Sequence, residues 1–111
     1  MKTRLQTDEK VVREDGANHQ RGRETVGGKL YLTTQRLVFE SHAFNIQTGT
    51  TTIALQDVAG VEPTWTKFLD LIPIMPNSIK IATREGKEHS FVVPARDKWI
   101  RILSGESTKS R

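Results

Sequence analysis

The sequence predicts a mainly β domain closed by one C-terminal helix. Short apolar stretches recur between Gly-, Pro- and Asp-containing turn signals, the pattern of a small barrel or sandwich rather than of alternating strands and helices. After Pro94 the hydrophobic period changes once, from two to that of a helix. The chain has 111 residues, enough for one domain and too few for two.

The elements follow in order. Val11 and Val12 open a first short strand that ends at Glu14-Asp15-Gly16, and the polar, Gly-punctuated stretch 17–23 reads as a loop. From Gly28 onward Leu30 and Leu32 share one face while Lys29 and Tyr31 share the other. Thr34-Gln35 then turns the chain into Leu37, Val38 and Phe39, a hairpin. On this reading Tyr31 faces outward or lies under a loop. Residues 44–47 form a short strand or extended link, 48–50 a turn, and 51–55 are β-branched enough for a further strand. Asp57 and Gly60 bracket an irregular turn before a strand over 61–66. The clearest hairpin is 78–93, where Ile79 and Ile81 alternate with Lys80 and Ala82, and Arg84-Glu85-Gly86-Lys87 supplies the turn. Phe91 and Val93 form the inward set of its second strand, with His89 at the same parity. Ala95, Trp99, Ile102 and Leu103 follow i, i+4, i+7, i+8, an amphipathic helix that Ser104-Gly105 stops and that places Trp99 as a plug. Residues 10–103 therefore make the domain, with an N-terminal segment 1–9 and a flexible tail 104–111.

Composition narrows the function. Hydrophobic residues at 35% and charged residues at 27% suit a folded chain, and no apolar run reaches membrane-spanning length. The absence of cysteine excludes disulfides, thiolate chemistry and sulfur-based zinc sites, and leans towards the cytosol. Residues 1–9 lack the apolar stretch of a signal peptide, so the expected location is cytoplasmic. The net charge is +4, and the excess lies in 95–111, which holds five basic and two acidic groups. Lys109 and Arg111 fall in the tail, and aromatic residues are only 6%, so nucleic acid is an unfavourable partner.

Several motifs together carry a resemblance. GGKLYLTTQRLVFESH, residues 27–42, resembles the signature of GRAM domains, in which a Gly-led strand reaches a tight Thr-containing turn before Arg and an apolar strand ending in Phe. TTIALQDVAGVEPT, residues 51–64, looks like the family's next segment, and the hairpin SIKIATREGKEHSFVV with the helix around Trp99 completes it. The resemblance covers residues 10–103 and implies a pleckstrin-homology-like (PH-like) fold. That fold is a bent, partly open β-barrel of about seven antiparallel strands capped by one C-terminal α-helix. In larger eukaryotic proteins such domains are associated with membranes and phosphoinositides; this chain looks more like the small stand-alone GRAM proteins of bacteria.

No motif supplies convergent reactive groups, so the expected protein is not an enzyme and has no cofactor. The stretch 22–29 misses a phosphate-binding loop, because Arg23 stands where Gly is required and Leu30 where Ser or Thr is. His19, His42 and His89 lack metal-ligand spacing and read as surface or turn residues, so no metal is expected. Arg36, beside the tight turn, reads as pairing with a carboxylate or capping carbonyls.

Two surfaces remain as binding candidates. Lys10, a loop and then Arg21-Gly22-Arg23 are similar to the pattern by which PH domains hold inositol phosphates, and His19 lies between them. Converging cations would hold a phosphate by charge-assisted hydrogen bonds, while an ordinary solvated loop is the alternative. The second surface is 65–76, where Trp65, Phe68, Leu69, Leu71, Ile72, Ile74 and Met75 are too many apolar groups for a loop, yet Pro73 and Pro76 forbid a central strand. The segment folds back on its own barrel, forms an interface with a protein partner or a second copy, or rests in a bilayer surface with Lys67 at the headgroups. The sequence thus points to a binding module acting through protein or self-association at 65–76. The alternative is a peripheral membrane module that binds anionic lipid through the basic loop.

Overall fold

In a computed structural model of the chain, which describes residues 1–21, 24–42, 50–68 and 72–105, the elements are β1 (Val11–Arg21), β2 (Glu24–Thr33), β3 (Arg36–Ser41) and β4 (Thr50–Ala54), then a 3-10 turn at Leu55–Asp57. β5 (Val58–Phe68), β6 (Ile72–Thr83), β7 (Glu88–Val92) and α1 (Arg96–Leu103) complete them. The strands form one open antiparallel sheet in the order β4-β3-β2-β1-β7-β6-β5. It consists of two meanders, β1 to β4 and β5 to β7, sewn together where Asn18, His19 and Gln20 pair with Val92, Phe91 and Ser90. The helix packs against β5 and β6.

Period-two alternation builds the core. Leu30 and Leu32, Leu37 and Phe39, Ile53, Ile79 and Ile81, Phe91 and Val93 point inward and close around Trp99, which is fully buried. Burying each such side chain contributes about 1.5–3 kcal/mol. The turn from β6 to β7 is closed by Thr83 N–H to the Lys87 carbonyl at 2.8 Å, and Gly86 adopts φ 91°, which explains glycine there. Ala95 also has a positive φ of 51° and is the exposed cap of α1, outside the apolar stripe in which its spacing had placed it.

Tyr31 and Val38 are cross-strand partners of the opposite parity, and both are nonetheless buried. Residues 2–9 run alongside β3. The Lys2 N–H and the Thr3 N–H and hydroxyl donate to the Glu40 carboxylate, Gln35 Nε2 donates to the Thr7 carbonyl, and Arg36 donates to the Arg4 carbonyl. Burial, with Glu40 close by, pushes the Tyr31 phenol above its ordinary pKa.

Three elements differ from the sequence reading. The loop expected over 17–23 is strand as far as Arg21, because β1 continues through Gly16 with its inward positions occupied by Asp15, Ala17 and His19. Those residues hide the alternation, being small or polar. The irregular turn expected at 57–60 is already strand from Val58, with a register shift between Val58 and Gly60. Pro73 and Pro76 do lie within a strand, but in the part of β6 before Ser78, the first residue paired with β7. A strand paired on one side tolerates proline. The expected strand 44–47 lies outside the described residues.

Candidate functional site

Lys10 and Arg21, two of the basic residues singled out in sequence, lie at opposite ends of one strand. Lys10 immediately precedes β1 and Arg21 is the last of its 11 residues, so nearly the whole strand, at roughly 3.3 Å per residue, stands between them. His19 is 4% exposed, stacked on Phe91 with ring centroids 4.6 Å apart and edge-on to Phe39 at 5.2 Å. It is a core residue, not the surface or turn histidine its sequence context suggests. His42 is exposed just beyond β3, and His89 is half-buried, 5.7 Å from His19. Among the described residues no three His, Asp or Glu side chains gather as metal ligands. Arg23 lies outside the described residues.

The apolar residues of 65–76 fall on one hairpin. Trp65 and Phe68 belong to β5, and Ile72, Ile74 and Met75 to β6, while Leu69 and Leu71, between the two strands, lie outside the described residues. Phe68 pairs with Ile72, Lys67 with Pro73 and Thr66 with Met75, with register shifts around Thr66. The last pair between β6 and β7 is Ser78 with Val92. Beyond it, residues 64–68 and 72–77 therefore continue as a two-stranded ribbon, in which β5 is the edge of the sheet.

A third surface begins where β7 ends. Pro94 and Ala95 lead into α1, and between this turn and β1 lies an open groove of about 1070 Å³. Gly16, Asn18, Gly27 and Gly28 line it on the sheet side, Lys98 and Arg101 on the helix side, with Arg96, Asp97 and His42 also present. Because β7 pairs with β1 only at Asn18 to Gln20, the preceding part of β1 has β2 as its sole strand neighbour among the described residues. The glycines differ in what they permit. A Cβ on Gly28 would overlap the Glu40 carbonyl oxygen and the Phe39 ring, whereas a Cβ on Gly16 would meet nothing within 4 Å.

These elements can be set against known proteins. A family model described as GRAM domain matches residues 1–101. The chain belongs to the GRAM domain family. No curated protein matches it. Its fold is shared by solved structures, among them these two. One is the crystal structure of the C-terminal domain of an unknown protein from Leishmania infantum, at 16% identity and TM-score 0.68, covering 87% of this chain and 83% of that one. The other is the Vps36 N-terminal PH domain, at 18% identity and TM-score 0.65, covering 94% of this chain and 86% of that one. The fold is PH-like, and a GRAM domain is a binding module, not an enzyme. No helix among its described residues is long and apolar enough to cross a membrane.

Two polar clusters hold the GRAM domain's surfaces in place. Trp99 Nε1 donates to the Asp15 carboxylate at 2.8 Å; Arg13 pairs with the same carboxylate at 3.0 Å and lies 5.5 Å over the Trp99 ring. This fixes α1 to β1 beside the groove. Arg36 pairs with a carboxylate as expected: its Nε lies 2.7 Å from Glu9, which also accepts hydrogen bonds from the Thr33 hydroxyl and the Gln6 N–H. The Arg36 hydrogen bond leads in lowering the Glu9 pKa from 4.5 to about 2, against the opposing effect of burial. Burial alone would raise the Glu40 carboxyl, but its hydrogen bonds from Lys2 and Thr3 together lower it.

The groove escaped the sequence reading, although its signal was present. Of the five basic residues in 95–111, Arg96, Lys98 and Arg101 lie on α1 and line the groove. They surround the buried Trp99 at helical spacing, so a charge count restricted to α1 would have found them.

Proposed function

We propose that this GRAM domain binds protein through the β5–β6 ribbon, a second copy of the chain being the simplest occupant. The observation that carries the reading is the extension of β5 and β6 past the last β7 pair at Ser78 and Val92. A two-stranded ribbon is marginal in water unless something packs on it. Here the ribbon sequence contains Trp65, Phe68, Ile72, Ile74 and Met75. Its outer strand, β5, is also a sheet edge, able to add a strand from a partner by main-chain hydrogen bonds. The reading puts the domain in the cytoplasm.

A second reading is peripheral attachment to an anionic membrane surface. It is supported by Arg21 at the end of β1 and by Arg23, which directly precedes β2 in sequence. Salt separates the two, since charge-led lipid binding weakens as ionic strength rises while apolar association does not.

The test is sedimentation of the purified protein over a concentration series, alone and with phosphatidylserine liposomes, at low and high salt. The expected result is a mass above that of the monomer that persists in high salt. It returns to the monomer in a Phe68→Asp/Ile72→Asp variant whose circular dichroism is unchanged. A monomer at all concentrations overturns self-association, and salt-sensitive liposome binding by that monomer puts the membrane reading first.

A further inference from the structure

We propose that the groove between β1 and α1 is a docking site for an extended acidic peptide segment of a partner protein, held by Lys98 and Arg101. This site is separate from the ribbon and does not depend on the reading above.

Three observations select this occupant. The first is charge: among the described residues Arg96, Lys98 and Arg101 line the helix side against the single acid Asp97, and Lys98 and Arg101 are exposed. Basic side chains spaced along a helix pair with carboxylates spaced along an extended chain. The second is backbone chemistry. β7 leaves β1 at Val92, so the part of β1 before Asn18 has an edge with no neighbouring strand among the described residues, and Gly16 to Asn18 of that strand line the groove. An extended peptide can pair with a strand edge through its own N–H and C=O groups, whereas a flat bilayer has no backbone to offer. The third is size and polarity. At about 1070 Å³ the groove is at the upper end of the roughly 300–1000 Å³ of small-molecule sites, and it is open to solvent where such sites are enclosed. Among the described residues no buried side-chain nitrogen or oxygen lacks a partner, so there is no buried polar anchor awaiting a compact ligand.

The glycines of the sheet side give the proposal a steric handle. Gly16 lines the groove and has open space where its Cβ would stand, so a side chain is added there without a clash with the barrel.

The probe is a fluorescein-labelled peptide repeating Glu-Thr-Glu-Val, titrated with the full chain and read by fluorescence anisotropy at low and high salt. Binding is expected at low salt, weakened by about tenfold or more when Gln replaces each Glu, and by a similar factor in Lys98→Glu/Arg101→Glu. Gly16→Trp is expected to weaken binding by at least about tenfold while its thermal midpoint stays at that of the parent. The proposal is overturned if the peptide does not bind, or if neither Gly16→Trp nor the charge-reversed variant changes its affinity. It is also overturned if Lys98→Glu/Arg101→Glu abolishes binding to phosphatidylserine vesicles and leaves peptide binding intact.

Discussion

Trp99 allows the attachment of α1 to be measured in parts. The side chain is fully buried among the core residues, and its indole N–H donates to Asp15. Truncation to alanine removes the largest fully buried side chain of the core, a change that costs about 3–5 kcal/mol in comparable sites. Trp99→Phe keeps most of the apolar volume but loses the donor to a carboxylate, nominally about 1.5–3 kcal/mol. Asp15 retains Arg13 at 3.0 Å and is partly exposed, so the lower end, about 1.5 kcal/mol, is expected. Asp15→Asn preserves an acceptor for the indole and gives up only a partly exposed ion pair, so it should cost less than about 1 kcal/mol. Total stability for a domain of this size is about 5–15 kcal/mol, so the alanine variant should lose about a fifth of it or more. The assay is urea unfolding followed by far-UV circular dichroism, a signal that does not rely on the mutated fluorophore. The expected order of loss is Trp99→Ala, then Trp99→Phe, then Asp15→Asn. A Trp99→Ala midpoint within about 0.5 kcal/mol of the parent, at unchanged slope, would refute the view that Trp99 anchors the helix.

Two further predictions concern the sheet and its docked segment. Gly28→Ala places a Cβ against the Glu40 carbonyl and should cost about 3 kcal/mol or more, while Gly16→Ala should stay within about 0.5 kcal/mol; equal midpoints for the two in the same urea assay would contradict the packing described. Glu9 has its folded pKa lowered from 4.5 to about 2, so its stabilising contribution is complete above pH 4.5 and disappears as pH falls through about 2. Thermal midpoints between pH 5 and pH 2 should therefore fall less steeply in Glu9→Gln than in the parent, and identical slopes would show that Glu9 does not carry this acid sensitivity.

What the sequence revealed, and what it concealed, follows from how locally each feature is encoded. The β6–β7 hairpin and the β2–β3 pair were readable because Ile79, Ile81, Leu30 and Leu32 alternate with polar residues, and Gly86 marks its own turn. Trp99 was readable as a plug because helical spacing gathers it with Ile102 and Leu103. The first half of β1 was read as a strand, but its continuation past Gly16 was not, since the inward His19 owes its burial to Phe91, more than seventy residues away. The same long reach explains why Lys10 and Arg21 looked like neighbours across a loop when a continuous strand separates them. The prolines of 65–76 were correctly read as incompatible with a central strand, but nothing local indicates that β6 outruns β7. The groove is composed of pieces from β1, β2 and α1, and only its charge was visible in advance.

The seam between the two meanders has a consequence for how the molecule comes apart. β1 to β4 are joined by neighbours in sequence, and so are β5 to β7, whereas the seam joins Asn18, His19 and Gln20 to residues 90–92. Contacts of such long range must overcome loop-closure entropy, so their formation sets the pace of folding. The Trp99–Asp15–Arg13 clasp spans the same junction, since it ties the helix after β7 to β1. Parting these contacts would separate two intact meanders without breaking a single hairpin. The seam is thus a natural line of subglobal opening, and the clasp is the lock that keeps the two halves moving as one cooperative unit.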